Sequence, residues 1–155
     1  MEDEGVGIHV LKEIEARYNF DPPIECVDGG TAGMELLAFF DEYDKILMID
    51  AVEFRREPGT IQTLMNDEIL VQLTEKMSLH HLGITDVLSS AHLLEYNPSE
   101  VWLIGVQPKS IQVRLGLSPL MAGKIEELVK LTIAYLQGWG IQGIAKEKPD
   151  KVKLP

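Results

Sequence analysis

Four polar groups in the sequence could carry chemistry, and each lies in a predicted loop or at the end of an apolar run. They are Glu4, Asp28, Asp50 and the pair His80-His81. Two carboxylates and one imidazole form a mixed oxygen and nitrogen ligand set with open positions, which is compatible with nickel or zinc. A stable catalytic zinc site more often uses two or three histidines. This set should therefore bind free metal only modestly, which suits a protein that senses a metal held by another molecule.

Each of these groups also has a plain structural interpretation. Glu4 could serve merely to stabilise a helix N-terminus through the helix dipole, and Asp50 could serve merely as a cap or turn residue. The glycines of the segment 28–33 could serve a turn, or they could cradle a phosphate at a helix start, although no G-x-G-x-x-G or Walker pattern is present. Cys26, the single cysteine, lies inside an apolar run, and no Ser or Cys nucleophile with a partnered base is evident.

The composition indicates one ordinary globular domain. The chain has 155 residues, of which 45% are hydrophobic and 25% charged. No apolar run approaches the roughly 20 residues that span a bilayer. A single cysteine cannot form an internal disulfide, so we expect a cytoplasmic protein. We also expect a monomer. The formal net charge of -11 argues against nucleic acid as a partner, because a phosphate backbone selects Lys and Arg.

The basic residues are unevenly distributed. Residues 144–155 contain four lysines against one Glu and one Asp, and we interpret them as a basic, solvated C-terminal tail. Residues 1–143 then form the domain, with 10 basic and 23 acidic side chains. Arg55 and Arg56 lie in a charged loop and are interpreted as solvated.

Helical and strand patterns alternate along the chain. Helices are predicted from Ile8 to Tyr18, before Pro22-Pro23, and over 34–43, 67–77, 85–96 and 118–137; strands are predicted at 24–27, 45–50, 59–65 and 101–106. This order predicts an α/β fold, a three-layer sandwich around a mostly parallel, twisted sheet. Ligands of such sheets gather at the carboxyl ends of the strands, where Asp28 and Asp50 are predicted to lie.

The beginning of the chain departs from this pattern. A doubly wound sheet starts with a strand at its centre. Here Met1 is followed by an acidic and glycine-containing segment and then directly by a helix. We therefore expect the first, central strand to be missing from this chain.

Several short motifs follow one another in a fixed order. They are Asp-Gly-Gly-Thr-Ala-Gly-Met-Glu-Leu-Leu at 28–37, Ile-Asp-Ala at 49–51, Pro-Gly-Thr at 58–60, His-His-Leu-Gly at 80–83, Asp-Val-Leu at 86–88 and Gly-Leu-Ser-Pro at 116–119. In this order the chain resembles the nickel–iron hydrogenase maturation endopeptidases from residue 3 to about 138. The Asp-Gly-Gly-Thr-x-Gly segment is specific to that family. The strand ending in Gly-x-Gly-Asn with which family members begin has no counterpart here.

The resemblance implies a function and a set of site residues. Family members remove a short C-terminal extension from the large-subunit precursor of a hydrogenase after nickel insertion, and the nickel held by that substrate is the recognition mark. The implied metal contacts are Glu4, Asp50 and His80, with His81 at a variable position. Asp28 is implied as the catalytic residue, with substrate contacts from Gly29, Gly30, Thr31 and Gly33. Whether nickel or Asp28 activates the attacking water stays open.

Two other functions are compatible with the same residues. One is a non-catalytic α/β binding module in which the glycine-rich 28–33 segment holds a phosphate-containing ligand. The other is a free-standing metallohydrolase that keeps its own metal and acts on small substrates.

Overall fold

The computed structural model describes residues 5–29, 33–75, 82–109 and 117–152. The chain divides into two compact units, one formed by Met1–Asp28 with Lys109–Pro155 and the other by Gly29–Pro108. Within the described ranges, no helix is both long enough and apolar enough to cross a membrane.

Between residues 45 and 106, strands and helices follow the order that the sequence predicts. In chain order the elements are α1 (Val6–Arg17), β1 (Tyr18–Asp21), a 3₁₀ turn (Gly33–Leu36), α2 (Leu37–Glu42), β2 (Lys45–Ala51), β3 (Ile61–Met65), α3 (Asp67–Glu75), α4 (Leu82–Leu93), β4 (Glu100–Val106), α5 (Pro119–Ala122), α6 (Ile125–Gly138) and β5 (Gln142–Ala145). The α/β class is confirmed. The three-layer arrangement stays a prediction.

The second unit contains a three-stranded sheet in the order β2-β4-β3. β2 runs parallel to β4 and β3 runs antiparallel to it, so the sheet is mixed where the sequence predicted mostly parallel strands. The reason lies in the connection between β2 and β3. Residues 52–60 contain no helix that could carry the chain back to the opposite edge of the sheet, and β3 must therefore start at the edge where β2 ends.

The core of this unit surrounds β4. Leu103 and Ile104 of β4 are fully buried, as expected for a central strand with apolar residues on both faces. The buried cluster comprises Phe40, Val52, Phe54, Leu64, Ile69, Leu73, Val87, Ala91, Val101 and Leu103. These residues come from α2, α3, α4, β3, β4 and the loop after β2. β3, which the sequence predicted as an edge strand, lies at the edge of this sheet.

The first unit is built around α1 and α6. Val6, Val10 and Ile14 are buried at successive four-residue steps and form one apolar face of α1. The guanidinium of Arg17 donates hydrogen bonds to both carboxylate oxygens of Glu126 on α6. This ion pair lowers the pKa of Glu126, mainly through the hydrogen bond from Arg17.

Two segments at the ends of the first unit differ from the prediction. Tyr18, predicted as the last residue of the first helix, instead begins β1, which pairs antiparallel with β5. The backbone N–H of Lys146 donates to Arg17 O at 2.9 Å, and its Nζ donates to Glu15 O at 2.9 Å and to Asp150 Oδ2 at 2.7 Å. The segment interpreted as the start of a solvated tail is thus a strand followed by anchored residues.

The predicted strand at 24–27 is wrong. Residues 23–28 have no regular secondary structure, and none of the described strands pairs with them. A strand persists only when a neighbour satisfies its backbone N–H and C=O groups, and an apolar run alone does not provide that neighbour. The missing first strand stays a prediction, because residues 1–4 lie outside the described residues.

The predicted long helix after Ser118 is interrupted. Ser118 caps α5 as expected, and its Oγ accepts a hydrogen bond from Met121 N–H at 3.4 Å. Gly123 then ends this single turn, and α6 begins at Ile125. Glycine is about 1 kcal/mol less favourable than alanine inside a helix, which favours a break at this position.

The packing of β4 gives a direct test. A Cβ atom at Gly105 would lie 2.5 Å from Phe54 Cζ, and Phe54 is only 1% exposed, so its ring has little room to move. We expect Gly105→Ala to lower the free energy of unfolding by about 1–3 kcal/mol. Gly138→Ala, where nothing lies within 4 Å of the added Cβ, should change it by less than about 1 kcal/mol. Equal urea midpoints for the two variants would contradict the packing described here.

Candidate functional site

Asp50 lies where the carboxyl ends of β2 and β4 meet. It is half-buried, and its Oδ1 accepts a hydrogen bond from the backbone N–H of Ala51 at 2.9 Å. The strand register places Asp50 opposite Gly105. The predicted location of Asp50 at the carboxyl edge of the sheet is therefore confirmed, and this is the edge at which α/β sheets place their ligands.

The absence of a side chain at Gly105 lets the following loop approach the sheet. The Phe54 ring occupies the space that a side chain would take, and a Cβ at Gly105 would also come within 3.1 Å of Val52 Cγ2. Val52 and Phe54 are each 1% exposed. The 52–60 loop is thus packed against the end of β4 by apolar contacts.

The side chain of Gln107, which is 4% exposed as a residue, ties the 52–60 loop to the end of β4. Its Oε1 accepts hydrogen bonds from the backbone N–H groups of Phe54 at 2.7 Å and Arg56 at 3.2 Å. Its Nε2 donates to Glu53 Oε2 at 3.0 Å and to Pro108 O at 3.5 Å. Because an unpaired buried polar group costs about 1–3 kcal/mol, these bonds favour one loop conformation.

Further hydrogen bonds complete the loop. Arg55 has a φ of 58°, an uncommon value for a residue other than glycine, and its backbone N–H donates to Glu53 Oε1 at 2.7 Å. The backbone N–H of Gln107 donates to Thr60 O at 2.8 Å, and the N–H of Gly59 donates to Gln107 O at 2.8 Å. The loop is therefore held at its middle and at its end by the residue that follows β4.

The glycine-rich segment is described only in part. Asp28 is half-buried at the end of the irregular stretch 23–28. Gly33 has a φ of +54°, and nothing lies within 4 Å of a Cβ built there, so its backbone conformation rather than crowding favours glycine. At Gly29 a Cβ would meet Leu36 Cδ1 at 3.4 Å, an ordinary contact.

The predicted metal set stays a prediction. Glu4 and His80 lie outside the described residues, as do His81, Gly30 and Thr31. Of the remaining predicted site residues, Asp28 belongs to the first compact unit and Asp50 to the second. The described residues contain no group of three His, Cys, Asp or Glu side chains that could hold a metal.

Cys26 has the properties of a structural thiol. Burial, with a smaller contribution from the charge of Glu15, raises the pKa of the Cys26 thiol to about 11. A cysteine nucleophile reacts as the thiolate and needs a lowered pKa. The sequence-based conclusion that Cys26 is not a nucleophile agrees with this environment.

Sequence reasoning missed the residues that organise the edge around Asp50. Gln107 carries the same signal that singled out Asp50, a polar side chain directly after a buried strand. Gly105, a glycine near the end of that strand, is typical of a close approach by another part of the chain. The partners of both residues lie about fifty positions earlier, and no local pattern indicates them.

Comparisons with known proteins agree on one family. A family model described as hydrogenase maturation protease matches residues 8–135. The hydrogenase 2 maturation protease of Escherichia coli K12 is 35% identical over 94% of this chain and 89% of its own length. The hydrogenase expression/formation protein HupD of Rhodobacter capsulatus is 35% identical over 90% of this chain and 68% of its own length.

Solved structures give the same result. The hydrogenase maturating endopeptidase HybD from E. coli covers 94% of this chain and 91% of its own chain, with a TM-score of 0.87 and 34% identity. A hydrogenase 2 maturation peptidase from Thaumarchaeota archaeon SCGC_AB-539-E09 covers 88% of this chain and 90% of its own, with a TM-score of 0.64 and 30% identity.

The hydrogen bonds of Gln107 predict a large effect on stability. Gln107→Met keeps a side chain of similar size and leaves the N–H groups of Phe54 and Arg56 without their acceptor. We expect a loss of about 2–4 kcal/mol in the free energy of unfolding, measured by urea denaturation. The control is Gln137→Met on an exposed position of α6, which should change it by less than about 0.5 kcal/mol. Similar midpoints for both variants would rule out the role assigned to Gln107.

The thiol of Cys26 should show its raised pKa in its alkylation profile. Because its pKa is raised from 9.0 to about 11, the thiolate fraction at neutral pH is about 100-fold below that of an unperturbed thiol. Alkylation of the native protein, followed by mass spectrometry, should still accelerate between pH 9 and 10.5. In denaturant the rate should rise by only about twofold over this range, because a thiol with a pKa of 9.0 is already half ionised at pH 9. Identical profiles would contradict the burial of this thiol.

Proposed function

Because the chain belongs to the hydrogenase maturation protease family, we propose that it is an endopeptidase acting on a nickel–iron hydrogenase large-subunit precursor. It removes the C-terminal extension of that precursor after nickel insertion, and the nickel held by the substrate is the recognition mark. The observation that carries this proposal is the match to the family model over residues 8–135.

The proposed role of Asp50 is to contact the nickel of the substrate. Its carboxylate lies at the carboxyl end of β2, the edge at which sheets of this class place their ligands. Glu4 and His80 complete the proposed set, giving two oxygen ligands and one nitrogen ligand. The substrate supplies the nickel, and the proposal includes no tightly held metal of the protein itself.

The proposed hydrolysis needs an activated water and a polarised scissile carbonyl. Nickel held at Asp50 can act as a Lewis acid that activates the water and polarises the scissile carbonyl. Alternatively, Asp28 can act as the general base that takes the proton from water. Asp28→Asn separates the two routes, because it removes the base and leaves the proposed nickel contacts in place.

The test of the proposal is the processing of a purified precursor. Asp50→Asn keeps an oxygen that can accept the Ala51 N–H bond and removes the charge that contacts nickel. We expect this variant to lose at least about 100-fold in processing rate with an unchanged melting temperature, and nickel-free precursor to stay uncleaved by the unmutated protein. The mass of the precursor C-terminus is the measurement.

Asp41→Asn, at an exposed position of α2, is the matched control and should process at the unmutated rate. Equal cleavage of nickel-loaded and nickel-free precursor would contradict nickel as the mark. No cleavage of either, together with phosphate binding that depends on the 28–33 segment, would favour the non-catalytic binding module instead.

A further inference from the structure

Arg55 and Arg56 are an unusual feature of an acidic surface. Residues 29–108 carry 13 Asp and Glu but only four Lys and Arg, and two of those four are this adjacent pair. Both arginines are exposed. In the part of the chain that the structure describes, neither guanidinium forms an ion pair. Two adjacent exposed arginines in an otherwise acidic unit form a local site for an anionic group.

The backbone that presents the two arginines is held by side-chain acceptors on three consecutive N–H groups. The N–H groups of Phe54 and Arg56 donate to Gln107 Oε1, and the N–H of Arg55 between them donates to Glu53 Oε1. The second oxygen of Glu53 accepts from Gln107 Nε2. A loop ordered before binding loses less conformational entropy when a ligand arrives, which favours affinity.

The same loop starts at the strand that carries Asp50. Five positions separate Asp50 from Arg55, so their Cα atoms are at most about 18 Å apart, a distance that an extended peptide of about five residues spans. A polypeptide whose metal-bearing part lies at Asp50 can therefore reach the arginines a few residues further along its chain.

We propose that Arg55 and Arg56 bind a carboxylate of the precursor's C-terminal extension and so hold the segment beyond the scissile bond. The inference rests on the proposed function, because it names how the same substrate is held. Arginine matches a carboxylate with two parallel N–H donors, which makes it suited to this group. A carboxylate is available on every such substrate, since an extension that is removed from a C-terminus always ends in one.

The carboxylate can come from the chain terminus or from acidic side chains within the extension, and both are covered by the test. The double variant Arg55→Gln/Arg56→Gln should raise the KM for nickel-loaded precursor about tenfold and leave kcat within about twofold. The difference from the unmutated protein should shrink as ionic strength rises, because salt screens exposed charges. Lys130→Gln/Lys148→Gln, which removes two exposed positive charges from the other compact unit, is the control and should leave KM unchanged.

Two changes in the precursor distinguish the terminal carboxylate from the acidic side chains of the extension. If amidation of the precursor's terminal carboxylate raises KM for the unmutated protein but not for the arginine variant, the terminus is the bound group. If changing the acidic side chains of the extension to amides does so instead, those side chains are bound. If neither change alters KM for the unmutated protein, the inference is wrong.

Failure of this inference is distinguishable from failure of the proposed function. Cleavage of nickel-loaded precursor with the same KM by the unmutated protein and the arginine variant overturns the arginine contact alone. No cleavage by the unmutated protein overturns the proposed function and the inference with it.

Discussion

One buried side-chain amide organises the edge of the sheet at which Asp50 lies. Gln107 follows β4 directly, and its side chain satisfies two backbone N–H groups of the 52–60 loop while it donates to Glu53. The loop has no regular hydrogen-bond ladder of its own between β2 and β3. Without this amide, the N–H groups of Phe54 and Arg56 would lose this acceptor, and a buried N–H without a partner costs about 1–3 kcal/mol. The conformation of the middle of the 52–60 loop therefore depends on the side chain of the residue that follows β4.

This constraint has a consequence for the proposed chemistry. An endopeptidase gains rate by holding its substrate in place, and a displacement of about 1 Å can cost a factor of 100. The parallel register of β2 and β4 fixes the backbone of Asp50 against Gly105. The amide of Gln107 fixes the loop that carries Arg55 and Arg56. The edge of the sheet and the loop are thus held by Gly105 of β4 and by Gln107, the residue that directly follows that strand.

The sequence was sufficient to predict elements that depend on a local apolar pattern. It was insufficient for elements that depend on pairing with a distant part of the chain. β2 and β4 were predictable because their residues are apolar on both faces, and Asp50 because it ends one of these runs. The strand at 18–21 was missed and the strand at 24–27 was wrongly predicted, since strand formation depends on a partner. β1 finds one in β5, more than a hundred residues away, and the described strands offer none to 24–27. Gln107 could not be recognised, because its hydrogen-bond partners are set by the fold.

The exchange of backbone amide hydrogens in the 52–60 loop tests the central claim most directly. In the unmutated protein, the amides of Phe54 and Arg56 should exchange far more slowly than an exposed loop amide such as that of Glu57, because both are bonded to Gln107 Oε1. In Gln107→Met they should exchange at the rate of Glu57, while the amides of Leu103 and Ile104 in β4 stay protected. Exchange of Phe54 and Arg56 at the rate of Glu57 in the unmutated protein would contradict the account.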